Sequence, residues 1–441
     1  MIEPPRPISR KEAFLFWLKL GVISFGGPAG QIAIMHKELV EGRRWISEKR
    51  FVHALNYCML LPGPEAQQLA IYLGWLMHKT AGGIIAGTLF VAPSLFLMIG
   101  LSALYVTYGH TPMLEGVFYG IKPAVVAIVF HAAYRVGRRS LSNGLLWATA
   151  TAAFMATAIF SFPFPVLILM ALALGGMVGR WRPDLFRAQT HATPSGSNTP
   201  AVIDDYTPLP DHARFRWSPF LKICLTGAML WALPFAGLGM FFGWHSPFTQ
   251  MAGFFTSAAL VTFGGAYAVM PYVLQQSVSQ FGWLTTPQMI DGLALGESTP
   301  GPLIMVVVFV AYLGGHVTSP LGADQAVLSA VLAAVLVTWF TFLPSFIFIL
   351  AGAPFIEQSQ NDLRFGAPLA VVSACVVGVI ATLSVFFASH VFWPSGMGSP
   401  PDAVAIVLTG LAALLLLRLK WSILRTLAIC AGIGLAVRLF A

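Results

Sequence analysis

Four places in the chain set glycine or proline between apolar runs: Gly26-Gly27-Pro28, Pro62-Gly63-Pro64, Gly264-Gly265 and Pro300-Gly301-Pro302. Proline removes an amide donor and glycine frees the backbone, so a helix stops at each. A helix that restarts after such a stop presents unbonded amides and about half a positive charge at its N-terminus. That arrangement suits an anion, in particular a tetrahedral oxyanion, without calling for many basic side chains. The hydroxyls of Ser24, Thr262, Ser298 and Thr299 flank the stops and add donors. A single stop of this kind reads as a kink or a close-packing point; four in matched pairs read as a binding site.

Ionisable residues inside apolar runs are the second chemical signal, because a charge at a helix centre costs roughly 2.5 to 3.5 kcal/mol on insertion scales. Lys122, in YGIKPAVVAI, is expected to contact the anion. Glu65 follows the Pro62-Gly63-Pro64 stop, and Glu297 precedes the Pro300-Gly301-Pro302 stop by three residues. Both read as proton carriers, as acceptors that orient Lys122 or an arginine, or as structural carboxyls. Gln67 and Gln68, after LPGPEA, can donate to an anion, and Lys19 and Asp291 read as residues reaching an interface. His36, His53 and His131 read as interfacial or internally satisfied.

The elements that position these residues follow from composition. Of 441 residues 57 % are hydrophobic and 10 % charged, against about a quarter charged in soluble domains. Apolar runs of about 20 residues, enough to cross a hydrocarbon core, begin near Phe14, Phe51, Gly82, Val117, Gly144, Pro163, Phe220, Phe248, Gln288, Gln325, Arg364, Val404 and Trp421. In lipid such runs close their hydrogen bonds as helices. The expectation is an all-α, polytopic integral membrane protein. Its net charge of +8 lies in short clusters between the runs, such as Arg43, Arg44, Lys49 and Arg50, which is the pattern of cytoplasmic loops and argues against a nucleic-acid partner. Cys58, Cys224, Cys375 and Cys430 stand singly with no metal-ligand spacing. Neither a metal nor a cofactor is expected.

The chain repeats. Gly26 and Gly264, Trp45 and Trp283, and Pro62 and Pro300 share one offset of 238 residues, and Pro93-Ser94 answers Pro344-Ser345 at an offset of 251, placing an insertion near 315–324. Residues 1–180 form the first repeat, 181–218 a polar linker, 219–247 an unpaired transmembrane helix, and 248–441 the second repeat. The unpaired helix inverts the second repeat, an arrangement of secondary transporters whose site lies at mid-membrane where the halves meet. The loop 276–288 carries no Lys or Arg while its counterpart 37–50 carries five, so the two face opposite sides. With the latter in the cytoplasm, the two broken segments of each half enter and return, leaving about nine full spans; if all cross, there are thirteen. Gly83/Gly87 and Gly292/Gly296 fit small-residue helix packing. GxxxxGK[ST], HExxH and GxSxG are all absent, which argues against ATP-driven transport and hydrolysis.

Together SFGGPAGQIA, the tryptophan of RRWIS, LLPGPEAQQLAIYLGW and WLTTPQMIDGLALGESTPGPL resemble the chromate ion transporter family in its long, two-domain bacterial form. The resemblance covers both halves. It implies export of chromate across the bacterial inner membrane, sulfate as a related or competing oxyanion, and chromate resistance of the cell. It supports Gly26, Gly27, Pro28, Trp45, Pro62, Gly63, Pro64, Glu65 and Gln68, and in the second half Phe263, Gly264, Gly265, Trp283, Pro300, Gly301 and Pro302. Where related second halves read FGGG, this chain has Ala266 as the fourth residue. A homodimer is compatible with the sequence. A channel, an oxyanion importer or exchanger and a membrane-embedded hydrolase are the alternative readings.

Overall fold

The computed structural model describes residues 8–25, 27–182, 185–186, 201–204, 207, 210–358 and 366–440. Gly26 therefore lies outside the described residues. The described elements are helical, with one isolated bridge between Ile46 and Ile203.

In the first half α1 (Arg10–Ile23) runs inward and stops. The chain restarts as α2 (Gly27–His36), which tightens into a π-helical turn at Lys37–Gly42. The far end of α2 returns to the start of α1, since Arg43 Nη1 lies 3.4 Å from Glu12 Oε1 and Lys19 Nζ lies 3.7 Å from Glu38 Oε1. The second broken segment behaves alike. α3 (Glu48–Leu60) leads to the stop, and α4 (Glu65–Tyr108) restarts from it. At His78 and Lys79 the backbone leaves helical angles, so α4 is a short arm (65–77) and a long arm (80–108) folded back on each other. Close approach requires Gly74 here: a Cβ on it would come within 2.6 Å of Ala86 Cβ. Gly83 and Gly87 pack on the short arm at Ile71.

Four spans then follow the two re-entrant hairpins: the long arm of α4, α5 (Pro112–Ser140), α6 (Gly144–Phe160) and α7 (Phe164–Trp181). α8 (Trp217–Phe242) is the linking span. The second half repeats the order with α9 (Pro247–Leu260) and α10 (Ala266–Leu274) as one hairpin, α11 (Thr286–Ser298) and α12 (Val306–Thr318) as the next, and α13 (Ala326–Gln358), α14 (Gly366–Phe392), α15 (Ala403–Leu417) and α16 (Ile423–Phe440) as spans. Among the described residues this gives nine spans, seven of them helices of 18 residues or more. Five separate the two pairs of hairpins, which makes the repeats antiparallel. The hairpins re-enter rather than cross.

The repeat persists in detail. A π-helical turn at Gln275–Gln280 answers that at Lys37–Gly42. The Trp45 and Trp283 amides donate to the Leu39 and Ser277 carbonyls, both at 2.8 Å, and both rings are buried. The added residues of the second half form the turn between α12 and α13, where the first half makes only the His78–Lys79 reversal.

Arginine and lysine crowd one face of the bundle, at Arg43, Arg44, Arg138, Arg139, Arg180, Arg418 and Lys420, which places that face in the cytoplasm. Part of the linker is fixed there: the Val202 and Ile203 amides donate to the Arg44 and Trp45 carbonyls, each at 3.0 Å. Two hydrophobic clusters divide the interior. One holds the first-half hairpins and the cytoplasmic end of α13; the other holds α5 to α7, the second-half hairpins and the remaining spans. The first-half α3–α4 hairpin is tied to α13 by Glu357, which accepts from Tyr72 at 2.5 Å and faces Arg50 at 3.6 Å.

Candidate functional site

The stops meet at the centre of the bundle through two reciprocal backbone bonds. Gly63 N–H donates to the Thr262 carbonyl at 2.7 Å, and Gly301 N–H donates to the Ser24 carbonyl at 2.8 Å. Each bond joins the second stop of one half to the first stop of the other. Gly63 (φ +128°) and Gly301 (φ +101°) hold conformations that L side chains rarely adopt, and a Cβ on either would collide with Ser345 or Ser94, which are themselves the repeat-related pair. These two amides are thus spent on structure and cannot hold an anion, against the expectation for Gly63 and Gly301.

Around that crossing lies a chamber of about 10 Å³, lined by Pro28 and Gln31 of α2, Pro64, Glu65 and Ala66 at the start of α4, Thr262, Gly265 and Ala266 around the second-half stop, and Pro302 to Ile304. Four helix N-termini point into it. Those of α4, α10 and the 3-10 turn leading to α12 begin at Pro64, Gly265 and Pro302, none with a side-chain cap. Six N-termini elsewhere are capped, those of α1, α3, α6, α9, α11 and α15 by Ser9, Ser47, Asn143, Ser246, Thr285 and Asp402, while those of α5, α7 and α8, at Thr111, Pro163 and Arg216, are also without a side-chain cap but do not line this chamber. Bare first-turn amides have no intrahelical partner, and burial without one costs about 1–3 kcal/mol each. Several of them around one chamber supply donors that an acceptor from outside the chain could use. In this conformation the chamber has room for about one water, so an oxyanion requires the hairpins to part.

The side chains expected at the site divide. Glu65 lines the chamber, and Gln68 donates to the Pro62 carbonyl at 2.7 Å. The Ser24 hydroxyl is buried with no partner. Thr262, Ser298 and Thr299 give their hydroxyls to carbonyls of their own helices, at Ala258, Leu295 and Gly296. Glu297 is buried and accepts from the Tyr267 hydroxyl, close behind the chamber wall. Gly27 stands at φ +71°, and Gly264 sits at an exposed position beside Val376. Gln31 was not foreseen: it donates to the Gly301 carbonyl at 2.5 Å and the Ser24 carbonyl at 3.2 Å, leaving its own oxygen unpaired in the chamber wall. Its signal in the sequence was a lone amide side chain one helical turn past a stop.

Lys122 is not at the chamber. It lies 3.4 Å from Asp291, which also accepts from Tyr105 at 2.9 Å. This trio sits in the lining of a vestibule of about 710 Å³ that opens on the face opposite the arginine-rich one. Asp291 is buried within the bundle rather than at an interface. The vestibule's carboxylates Glu115, Asp291 and Asp402 outnumber its cations Lys122 and Arg438 among the described residues.

On the cytoplasmic side the surroundings differ. Asn56 of α3, Ala29 of α2, and Arg135 and Arg139 of α5 are exposed. Arg139 acts electrostatically on Glu65, and Arg135 on Glu297 and Tyr267. The two arginines stand one turn apart on the cytoplasmic half of α5.

The family model described as chromate transporter matches this chain twice, over residues 11–177 and 249–435, one match to each inverted half. The chain belongs to the chromate transporter family. A chromate transport protein of Pseudomonas aeruginosa is 33 % identical over 385 residues, covering 86 % of this chain and 82 % of the relative. One of Cupriavidus metallidurans is 28 % identical over 372 residues, covering 84 % and 80 %. A probable chromate transport protein of Synechococcus elongatus is 27 % identical over 374 residues, covering 85 % and 83 %. No solved structure matches. As a family member with seven long apolar helices, this chromate transporter is a multi-pass protein of the bacterial plasma membrane.

Proposed function

We propose that the chain exports chromate from the cytoplasm as a secondary transporter and thereby confers chromate resistance. The observation that carries this reading is the convergence of uncapped helix N-termini on one central chamber. A tetrahedral dianion presents four acceptor atoms, and it meets bare amides with their helix dipoles from both halves at once. Chromate enters past Arg139 and Arg135, is held at the N-termini of α2, α4, α10 and the turn before α12, and leaves past Lys122. The excess of carboxylates in the outer vestibule disfavours return.

Exit of a dianion from a cell with a negative interior gains about 4.6 kcal/mol per 100 mV, so the membrane potential alone can sustain export. Glu65 faces the same chamber. A dianion and an ionised carboxylate side by side repel strongly in so small a space, so binding favours the protonated form of Glu65, and the proton gradient becomes a second drive. Sulfate, with equal charge and shape, competes at the same amides.

The test is uptake of labelled chromate into inside-out and right-side-out vesicles with an imposed potential. Export predicts saturable accumulation in inside-out vesicles made positive inside, inhibited by sulfate. Uptake that favours right-side-out vesicles at equal and opposite potentials would make the chain an importer, and flux that never saturates would make it a channel.

A further inference from the structure

The repeats are related by inversion, so each contact made on the outer face should have a counterpart on the cytoplasmic face. The packing of the hairpins breaks this rule. In the second half α11 packs on α5, α14 and α16, and α10 packs on α14 and α7. Their first-half counterparts α3 and α2 pack on α4, with no comparable packing on α5, α7 or α14.

The same asymmetry appears residue by residue along one stripe. Val52, His53, Asn56 and Met59 of α3 are partly or fully exposed, whereas Ile290, Asp291, Ala294 and Glu297, 238 residues later on α11, are all buried. Ala29 of α2 is exposed where its counterpart Tyr267 is buried. The uncovered stripe carries two polar side chains, His53 and Asn56, which suit a wet surface better than a lipid-facing one. The first-half hairpins share a hydrophobic cluster with the cytoplasmic end of α13, separate from the cluster that holds the second-half hairpins, so the two pairs of hairpins can shift relative to each other.

We infer that this is the cytoplasm-facing member of a two-state pair, and that the Lys122–Asp291–Tyr105 cluster is its closed outer gate. Resting on the transport reading above, it assigns Lys122 a positioning role on the exit path in addition to any contact with the anion. Asp291 fixes α11 to α5 through Lys122, and to the long arm of α4 through Tyr105. Lys122 keeps a side-chain exposure of 29 % into the vestibule, so a dianion arriving there can draw it from Asp291 and loosen the gate. Opening the outer side lets the α3 stripe dock on α14 as α11 now docks on α5, because inversion makes those surfaces equivalent. The gate's second oxygen, Asp291 Oδ1, is buried without a partner, which leaves the closed state less than fully satisfied and able to yield.

The test uses thiol accessibility and needs no substrate, so its failure and the failure of the chromate reading are distinguishable. Asn56→Cys and Ala294→Cys are made separately in a chain whose four native cysteines are replaced by alanine, and an impermeant maleimide is applied to inside-out and right-side-out vesicles. The Asn56→Cys thiol should react at least tenfold faster from the cytoplasmic side than the Ala294→Cys thiol from the outside. Adding Asp291→Asn should slow the first at least fivefold and speed the second. Lys122→Gln is the second gate variant and should shift both in the same directions. Equal initial rates at the two positions would overturn the assignment of the state. Rates unmoved by either gate variant, or raised at both positions together, would overturn the gate.

Discussion

Replacing Pro64 with serine sets helix stability against transport. Pro64 occupies the N-cap of α4 at φ −74° and ψ 103°, an extended geometry in which its side chain accepts nothing. Serine in that conformation turns its hydroxyl onto the amide of Ala66 or Gln67, as Ser47 does at the start of α3. A new cap is worth about 0.5–2 kcal/mol. Loss of the proline's restriction on the unfolded chain costs roughly 0.4–1 kcal/mol, so folding stability changes by about 1 kcal/mol or less. The anion fares worse, because an amide that served it now serves the protein. A hydrogen bond to a charged acceptor is worth about 1.5–3 kcal/mol, and each 1.4 kcal/mol is about tenfold in affinity. KM for chromate in inside-out vesicles should therefore rise roughly ten- to a hundredfold, while the melting temperature of purified protein stays within a few degrees. Pro302→Ser at the repeat-related N-cap should act alike, and the two together should be non-additive because both face one chamber. A variant with an unchanged KM would refute the claim that these bare amides hold the substrate; a raised KM with an equally large loss of stability would reduce the effect to damage.

Two further substitutions probe the frame. Gln31→Leu removes the donor shared by the Gly301 and Ser24 carbonyls and should destabilise the protein by about 1–3 kcal/mol, read as a lower melting temperature with chromate flux falling in parallel. Gly120→Ala places a methyl against the Cys430 carbonyl where α5 and α16 approach most closely. Overpacking of that kind costs about 1–3 kcal/mol or more, so the yield of folded protein should drop while KM for the surviving fraction stays unchanged.

The stops were legible in the sequence because glycine and proline act on their own backbone wherever they stand. The repeat was legible because Trp45 and Trp283, or Pro62 and Pro300, keep one offset, and its inversion followed from the contrast in charge between two equivalent loops, while re-entry with about nine spans stood beside the alternative of thirteen. What could not be read is which amides remain free. Whether Gly63 N–H serves an anion or the Thr262 carbonyl is decided by a partner some 200 residues away, and no local pattern encodes that. Lys122 was visible as an ionisable residue in an apolar run, but its place in the vestibule depends on Asp291 of the other half. Thr262, Ser298 and Thr299 looked like donors by composition; as residues at helix C-terminal ends they turn their hydroxyls back onto carbonyls three or four positions earlier, which a count of hydroxyls ignores.

The two crossing bonds between Gly63 and Thr262 and between Gly301 and Ser24 have a further implication for ancestry and assembly. Neither repeat can finish its own interior: each needs a carbonyl lent by an upside-down neighbour to quiet an amide stranded in mid-bilayer. A lone repeat inserted in a membrane would thus be incomplete until it met another copy lying head to tail with it, which requires a population inserting in both orientations. Fusion through α8 makes that pairing obligatory, and it frees each half to drift apart from its twin in the residues, such as Gln31 and Asp291, that now occur on one side only.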